Sequence, residues 1–236
     1  MNERFALALN DAIEWIKSNY VVRGIIVSGS IIRGNANKNS DFDIYVIHDG
    51  QFKQRVQKIF NGVPCEIFIC NLEQVYKYFE IESETNRPVA ADMIATGTLY
   101  IGGEVRQIIQ LIEDAKKYVA RPFLLSAEKT ILSKYSIAIL VEDATDIIST
   151  DSATAIYILD QCMAKTIEFI FASNNQPLPR MKERIKILLE IDKRLGKEIE
   201  AYFLCNDASG KLEIVKSISL RLTGHTGFFE WTSIPA

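Results

Sequence analysis

The segment Gly24-Ile-Ile-Val-Ser-Gly29-Ser30-Ile-Ile-Arg33-Gly34-Asn-Ala-Asn-Lys-Asn-Ser40-Asp41-Phe42-Asp43-Ile-Tyr-Val-Ile47 decides the fold. Its two ends are short apolar runs, and each reads as a buried strand. Gly29-Ser30 closes the first strand at a sharp turn. Ile31 to Gly34 reads as a short turn of helix, and Asn35 to Ser40 as a polar loop. The second strand spans Asp41 to Ile47. Strand alternation puts Asp41 and Asp43 on one face and sends Phe42 and Ile44 into the core.

Two carboxylates sharing a face at the head of a strand repel each other unless a cation lies between them. Hard oxygen donors of this kind suit Mg²⁺. Two such ions, ~3.5–4 Å apart, can clamp the attacking and leaving oxygens of an in-line displacement. Glycine at position 29 lets the backbone come close to a ligand, and N–H groups at a helix start can face a phosphate. The Ser30 hydroxyl adds a donor, and Arg33 offers a planar fork to phosphate oxygens.

Outward from this segment, Phe5, Leu7, Ala8, Ala12, Trp15 and Ile16 recur at helical spacing, so residues 3–19 read as an amphipathic helix. Asp49-Gly50 is a turn. Gln51 to Phe60 reads as a helix ended by Asn61-Gly62, and Val63 to Cys70 as a third strand. Glu66 lies in that strand on a face with Phe68, opposite Cys65 and Ile67. A carboxylate in so apolar a strand, beside Asp41 and Asp43, would be a metal ligand or a general base. Asn71 caps a following helix, and Thr98 to Ile101 reads as one more strand.

Beyond this the pattern turns helical, over Glu104 to Tyr118, Ala127 to Ile148, Ser152 to Ser173 and Met181 to Leu195, with a last helical stretch from Ser209-Gly210. The chain therefore divides near Arg121-Pro122 into an α/β region, residues 1–120, and an antiparallel helical bundle, residues 121–236. Glu142, Asp143 and Asp146 form an acidic cluster on one helix, where Asp146 shares a face with Asp143 at i,i+3 and with Glu142 at i,i+4.

The formal net charge of −3 provides no global basic field, and no stretch is both basic and aromatic-rich, which argues against nucleic acid as a partner. The apolar runs fall short of the ~20 residues that span a membrane. Cys65, Cys70, Cys162 and Cys205 lack C-x-x-C spacing and read as reduced thiols of a cytoplasmic protein. Glu3 and Asp11 make the N-terminus unlike a signal peptide.

The order Gly29-Ser30-x-x-Arg33-Gly34, then Ser40-Asp41-x-Asp43-Ile44, then a lone acid on the next strand resembles the DNA polymerase beta-like nucleotidyltransferase superfamily. It looks like the small prokaryotic members, which include aminoglycoside and lincosamide nucleotidyltransferases and antitoxin-type minimal nucleotidyltransferases. The likeness covers about residues 20–105, and Thr96-Gly97-Thr98-Leu99-Tyr100 looks like the strand that closes such a domain. The resemblance implies an α+β fold: a nucleotidyltransferase domain with a small mixed sheet flanked by helices, followed by an all-α bundle. It implies that Gly29 and Ser30 hold nucleotide phosphates, that Asp41 and Asp43 ligate the ions, and that Glu66 is the third carboxylate, as ligand or base. Arg33 and Ser40 would support the phosphates. Glu66 departs from the family, where Asp is commoner.

The expected activity is transfer of a nucleoside monophosphate, AMP by preference, from a nucleoside triphosphate such as ATP to a hydroxyl of a small-molecule acceptor. Mg²⁺ is the expected cofactor. The acceptor is expected in the interdomain cleft, with Glu142 as an alternative base. A homodimer is compatible with the sequence. The competing expectation is an antitoxin-like or regulatory interaction protein built on a minimal nucleotidyltransferase domain.

Overall fold

In the computed structural model, which describes residues 1–233, the chain forms two compact units, Met1–Arg121 and Pro122–Ala236. The first unit is built on a five-stranded mixed sheet. Its strands are β1 (Gly24–Ser28), β2 (Phe42–Ile47), β3 (Gln54–Phe60), β4 (Val63–Cys70) and β5 (Thr98–Ile101), in the order β3-β4-β2-β1-β5. β2 and β4 pair in parallel, and the other pairs are antiparallel. The helices of this unit are α1 (Glu3–Asn19), α2 (Leu72–Glu84), α3 (Val89–Thr96) and α4 (Arg106–Ala120).

Alternation along the central strands sorts the core into two layers. Phe42, Ile44, Val46, Cys65, Ile67 and Ile69 meet Phe5, Ala8, Leu9, Ala12 and Ile16 of α1 on one face. Tyr45, Ile47 and Cys70 meet Val75 and Phe79 of α2, Met93 and Ile94 of α3, and Ile108 and Leu111 of α4 on the other. Asn71 closes a capping box with Gln74 at the start of α2. α3 has no side-chain cap of its own. Glu82 reaches across from α2, and both its carboxylate oxygens accept from the Ala90 N–H, at 2.9 and 2.8 Å.

The second unit is helical: α5 (Ala127–Ile147), α6 (Ser152–Ser173), a single 3₁₀ turn at Met181–Glu183, α7 (Arg184–Ile191), α8 (Lys193–Leu204) and α9 (Ala208–Thr223). Its core gathers Val141, Leu159, Met163, Phe171, Leu188 and Tyr202. Asp151, Asp192 and Asp207 cap α6, α8 and α9, each accepting from a backbone N–H three residues on.

The structure corrects three readings. Gln51 to Phe60 is not a helix: Gln54–Phe60 is an edge strand whose partner is β4. Asn61 and Gly62 both have positive φ, 47° and 71°, so the dipeptide turns a hairpin rather than ending a helix. Met181 to Leu195 is broken at Asp192, whose extended backbone ends α7 and whose side chain starts α8. α3 was not foreseen. The four thiols are free: Cys65, Cys70 and Cys162 are buried and Cys205 is partly exposed. Burial pushes Cys65 and Cys162 up to about 12, which holds both as inert thiols.

Candidate active site

The site grows from one row of the sheet. Ser28 on β1 is in register with Asp43 on β2, and Asp43 with Glu66 on β4. Glu66 is in turn in register with Gln57 on β3. Side chains in register on adjacent strands share a face, so Ser28, Asp43, Glu66 and Gln57 form a polar row across four strands. The next row on the same face is Ile26, Tyr45, Phe68 and Arg55. The polar row thus marks the edge at which the buried layer under α2, α3 and α4 gives out.

The Gly29 turn lies against this row. Its φ of +104° is one that a side chain would strain. A Cβ at position 29 would sit 3.0 Å from the Asp41 carbonyl oxygen and 3.4 Å from Asp43 Oδ2. Glycine therefore lets the backbone close on the carboxylate of Asp43. Residues 31–34 form a turn and not the expected helix. Arg33 N–H donates to Gly29 O at 3.2 Å, and Asn35 N–H to Ser30 O at 2.9 Å. Any phosphate contact here would come from this turn, not from the start of a helix.

The structure brings Ser30 and Ser40 together: Ser30 Oγ donates to Ser40 Oγ at 2.8 Å, and Ser40 Oγ accepts from the Asn37 N–H at 2.8 Å. These bonds pin the polar loop to the Gly29 turn. Arg33 is exposed and forms no ion pair among the described residues. Asp41 is exposed and lies just before β2, which begins at Phe42, so strand alternation does not extend to it.

Glu66 is held from the other side. Its carboxylate pairs with the Arg55 guanidinium and accepts from Gln57 Nε2 at 3.3 Å. Both partners belong to β3, the segment read as a helix, a reading that hides their approach to Glu66. The signal that could have found them is Asn61-Gly62, the preferred dipeptide of a tight hairpin.

Among the described residues, no three His, Cys, Asp or Glu side chains gather as a metal site. The donors nonetheless suit a hard divalent cation in part. Asp43 offers a carboxylate oxygen against the Gly29 turn, and Asp41 a second, exposed carboxylate two residues before it. Glu66 would join them only by leaving Arg55.

The remaining candidates have structural duties. Glu142 accepts from the Phe228 N–H at 2.7 Å, while Asp143 and Asp146 are exposed. His48 is buried in its turn: Nδ1 accepts from the Gly50 N–H and Nε2 donates to the Phe52 carbonyl, both at 3.0 Å. No helix among the described residues is long and apolar enough to cross a membrane.

A mixed sheet carrying a Gly-Ser turn beside in-register acids is the arrangement of a nucleotidyltransferase-like fold. The comparisons with known proteins agree. Residues 9–119 match the family model described as Nucleotidyltransferase domain. Among solved structures, the chain is similar to a nucleotidyltransferase-like protein from Exiguobacterium sibiricum 255-15, with a TM-score of 0.53 and 10% identity, over 92% of this chain and 73% of that one. At that identity the likeness speaks for the fold. No curated protein matches the chain significantly.

Proposed function

We propose that this protein is a metal-dependent nucleotidyltransferase that moves AMP from ATP to a hydroxyl of a small-molecule acceptor. The observation that carries the reading is the register of Ser28, Asp43 and Glu66 in one row, with Asp43 Oδ2 3.4 Å from the position a Gly29 side chain would take.

In this reading the Gly29-Ser30 turn receives the triphosphate, and Ser40 keeps the turn in place through its bond to Ser30. Asp41 and Asp43 would hold Mg²⁺. The bound ion supplies neutralisation of phosphate charge. Arg33, exposed on the same turn, would pair with phosphate oxygens. The acceptor oxygen forms a bond to the α-phosphorus. The bond from that phosphorus to the α,β-bridging oxygen breaks, and pyrophosphate leaves with the electron pair. Glu66, once released from Arg55, takes the acceptor's hydroxyl proton.

The test joins pyrophosphate release to thermal unfolding with and without Mg-ATP. Wild-type protein should be stabilised by Mg-ATP. Replacing both Asp41→Asn and Asp43→Asn should remove that shift and lower turnover by about 10³-fold or more, with the ligand-free melting curve retained. Turnover that survives the double replacement would overturn the site assignment. A wild type that no nucleotide stabilises would favour the interaction-protein reading.

A further inference from the structure

Two residues along β2 and β4 from Asp43 and Glu66, on the same face, Tyr45 and Phe68 stack with ring centroids 5.1 Å apart. They line a cavity of about 370 Å³ within the first unit. That volume lies in the range of small-molecule sites, roughly 300–1,000 Å³. Met93 adds an apolar wall and Tyr78 a further ring. Two residues of strand rise separate the cavity floor from the acid row by roughly 7 Å. A para substituent on a ring bound over Tyr45 and Phe68 would project past the cavity along the strands, toward the acid row.

The charges at its rim come from Arg55 on β3 and from Lys53, just before that strand. Lys53 Nζ lies 5.6 Å from the centre of the Tyr78 ring, and the Arg55 guanidinium carbon 5.3 Å from that of Phe68. Lys53 forms no ion pair among the described residues. The cavity also meets one carboxylate, Glu82, but both of its oxygens are engaged with the Ala90 N–H at the start of α3. Burial raises its pKa, against the pull of the α3 N–H groups and of Arg87. The cation left to meet a ligand is the Lys53 ammonium.

We infer that this cavity binds the acceptor, and that the acceptor is an aromatic hydroxyl compound bearing one anionic group rather than a polycation. The inference rests on the nucleotidyl-transfer reading. It places the acceptor on the sheet of the first unit, with its ring on the Tyr45–Phe68 pair and its anionic group at Lys53. The ring hydroxyl turns toward Glu66, where its oxygen bonds to the α-phosphorus as pyrophosphate departs and its proton passes to the Glu66 carboxylate.

The test uses the full chain labelled with ¹³C at its four methionine methyls, of which only Met93 lines the cavity. The probes are 3-(4-hydroxyphenyl)propionate and tyramine, which share a ring and a hydroxyl and carry opposite charges. The propionate should move the Met93 signal in a saturable titration, with tyramine weaker by about tenfold or more. Lys53→Glu should weaken the propionate by a similar factor. Saturating Mg-ATP should leave propionate binding in place. The inference is overturned if the propionate leaves Met93 unmoved, if tyramine binds as tightly, if Lys53→Glu changes nothing, or if Mg-ATP displaces the propionate and so claims the cavity for the nucleotide. Mg-ATP stabilisation of the wild type is read separately. Its loss with propionate binding intact sinks the transferase reading alone; its presence without propionate binding sinks the acceptor site alone.

Discussion

Two turns flank the acid row, and both use left-handed backbone. Gly29 is crowded, with the Asp41 carbonyl 3.0 Å and Asp43 Oδ2 3.4 Å from where a side chain would begin. Gly62 is open, with only Arg4 Nη2 nearby, at 3.7 Å. One turn packs against an acid of the candidate site; the other folds the hairpin that sets Glu66 beside Arg55. The same backbone conformation thus serves a site in one place and a register in the other. The contrast separates a turn packed against the candidate site from a turn that sets strand register.

The largest expected effect comes from substituting the two glycines in parallel. Gly29→Ala should cost about 2 kcal/mol or more and abolish stabilisation by Mg-ATP, since it adds a clash to a strained φ. Gly62→Ala should cost about 1 kcal/mol from backbone strain alone and leave the Mg-ATP shift intact. Denaturant unfolding with and without Mg-ATP reads both. Equal loss of the nucleotide effect in the two variants would erase the contrast.

A smaller effect belongs to Arg55→Met. Arg55 is 62% exposed, so loss of its pair with Glu66 should cost less than about 1 kcal/mol. Release of Glu66 should lower the Mg²⁺ concentration needed for half-maximal nucleotide binding. A higher requirement would mean that Arg55 supports the site instead of restraining Glu66.

The smallest effect is at Ser28. Its hydroxyl is buried and has no hydrogen-bond partner among the described residues, in the same row as Asp43. Ser28→Ala should leave the ligand-free protein as stable as before, or more stable by up to about 1 kcal/mol, because it removes an unpaired polar group. The Mg-ATP shift should shrink if the hydroxyl finds its partner in the bound state. A clear drop in ligand-free melting temperature would show that the hydroxyl is already satisfied.

The crowded turn was legible in the sequence and the open one was not, for physical reasons. β1, β2 and β4 are central strands, so their apolar residues announce them. Gly29, Ser30, Ser40, Asp41 and Asp43 are close in the chain, and their spacing placed them on a turn and a strand head. β3 is an edge strand, mostly exposed on both faces, and that removes the alternation which marks a half-buried strand. Phe52, Val56 and Phe60 then stand four apart and imitate a helix. With β3 misread, Arg55 and Gln57 could not be seen beside Glu66. α3 escaped because its eight residues are too short for a helical period to declare itself, and its cap comes from Glu82 of another helix.

The hairpin also bears on the order in which the row assembles. Arg55 and Glu66 are 11 positions apart in the chain, whereas Asp43 and Glu66, in register across β2 and β4, are 66 − 43 = 23 apart. Contacts between chain neighbours close sooner than distant ones, and an Asn-Gly turn speeds that closure. Glu66 then reaches Asp43 with its charge already matched by Arg55. In the proposed reaction the guanidinium is an escort for Glu66, given up when the carboxylate takes the acceptor's proton.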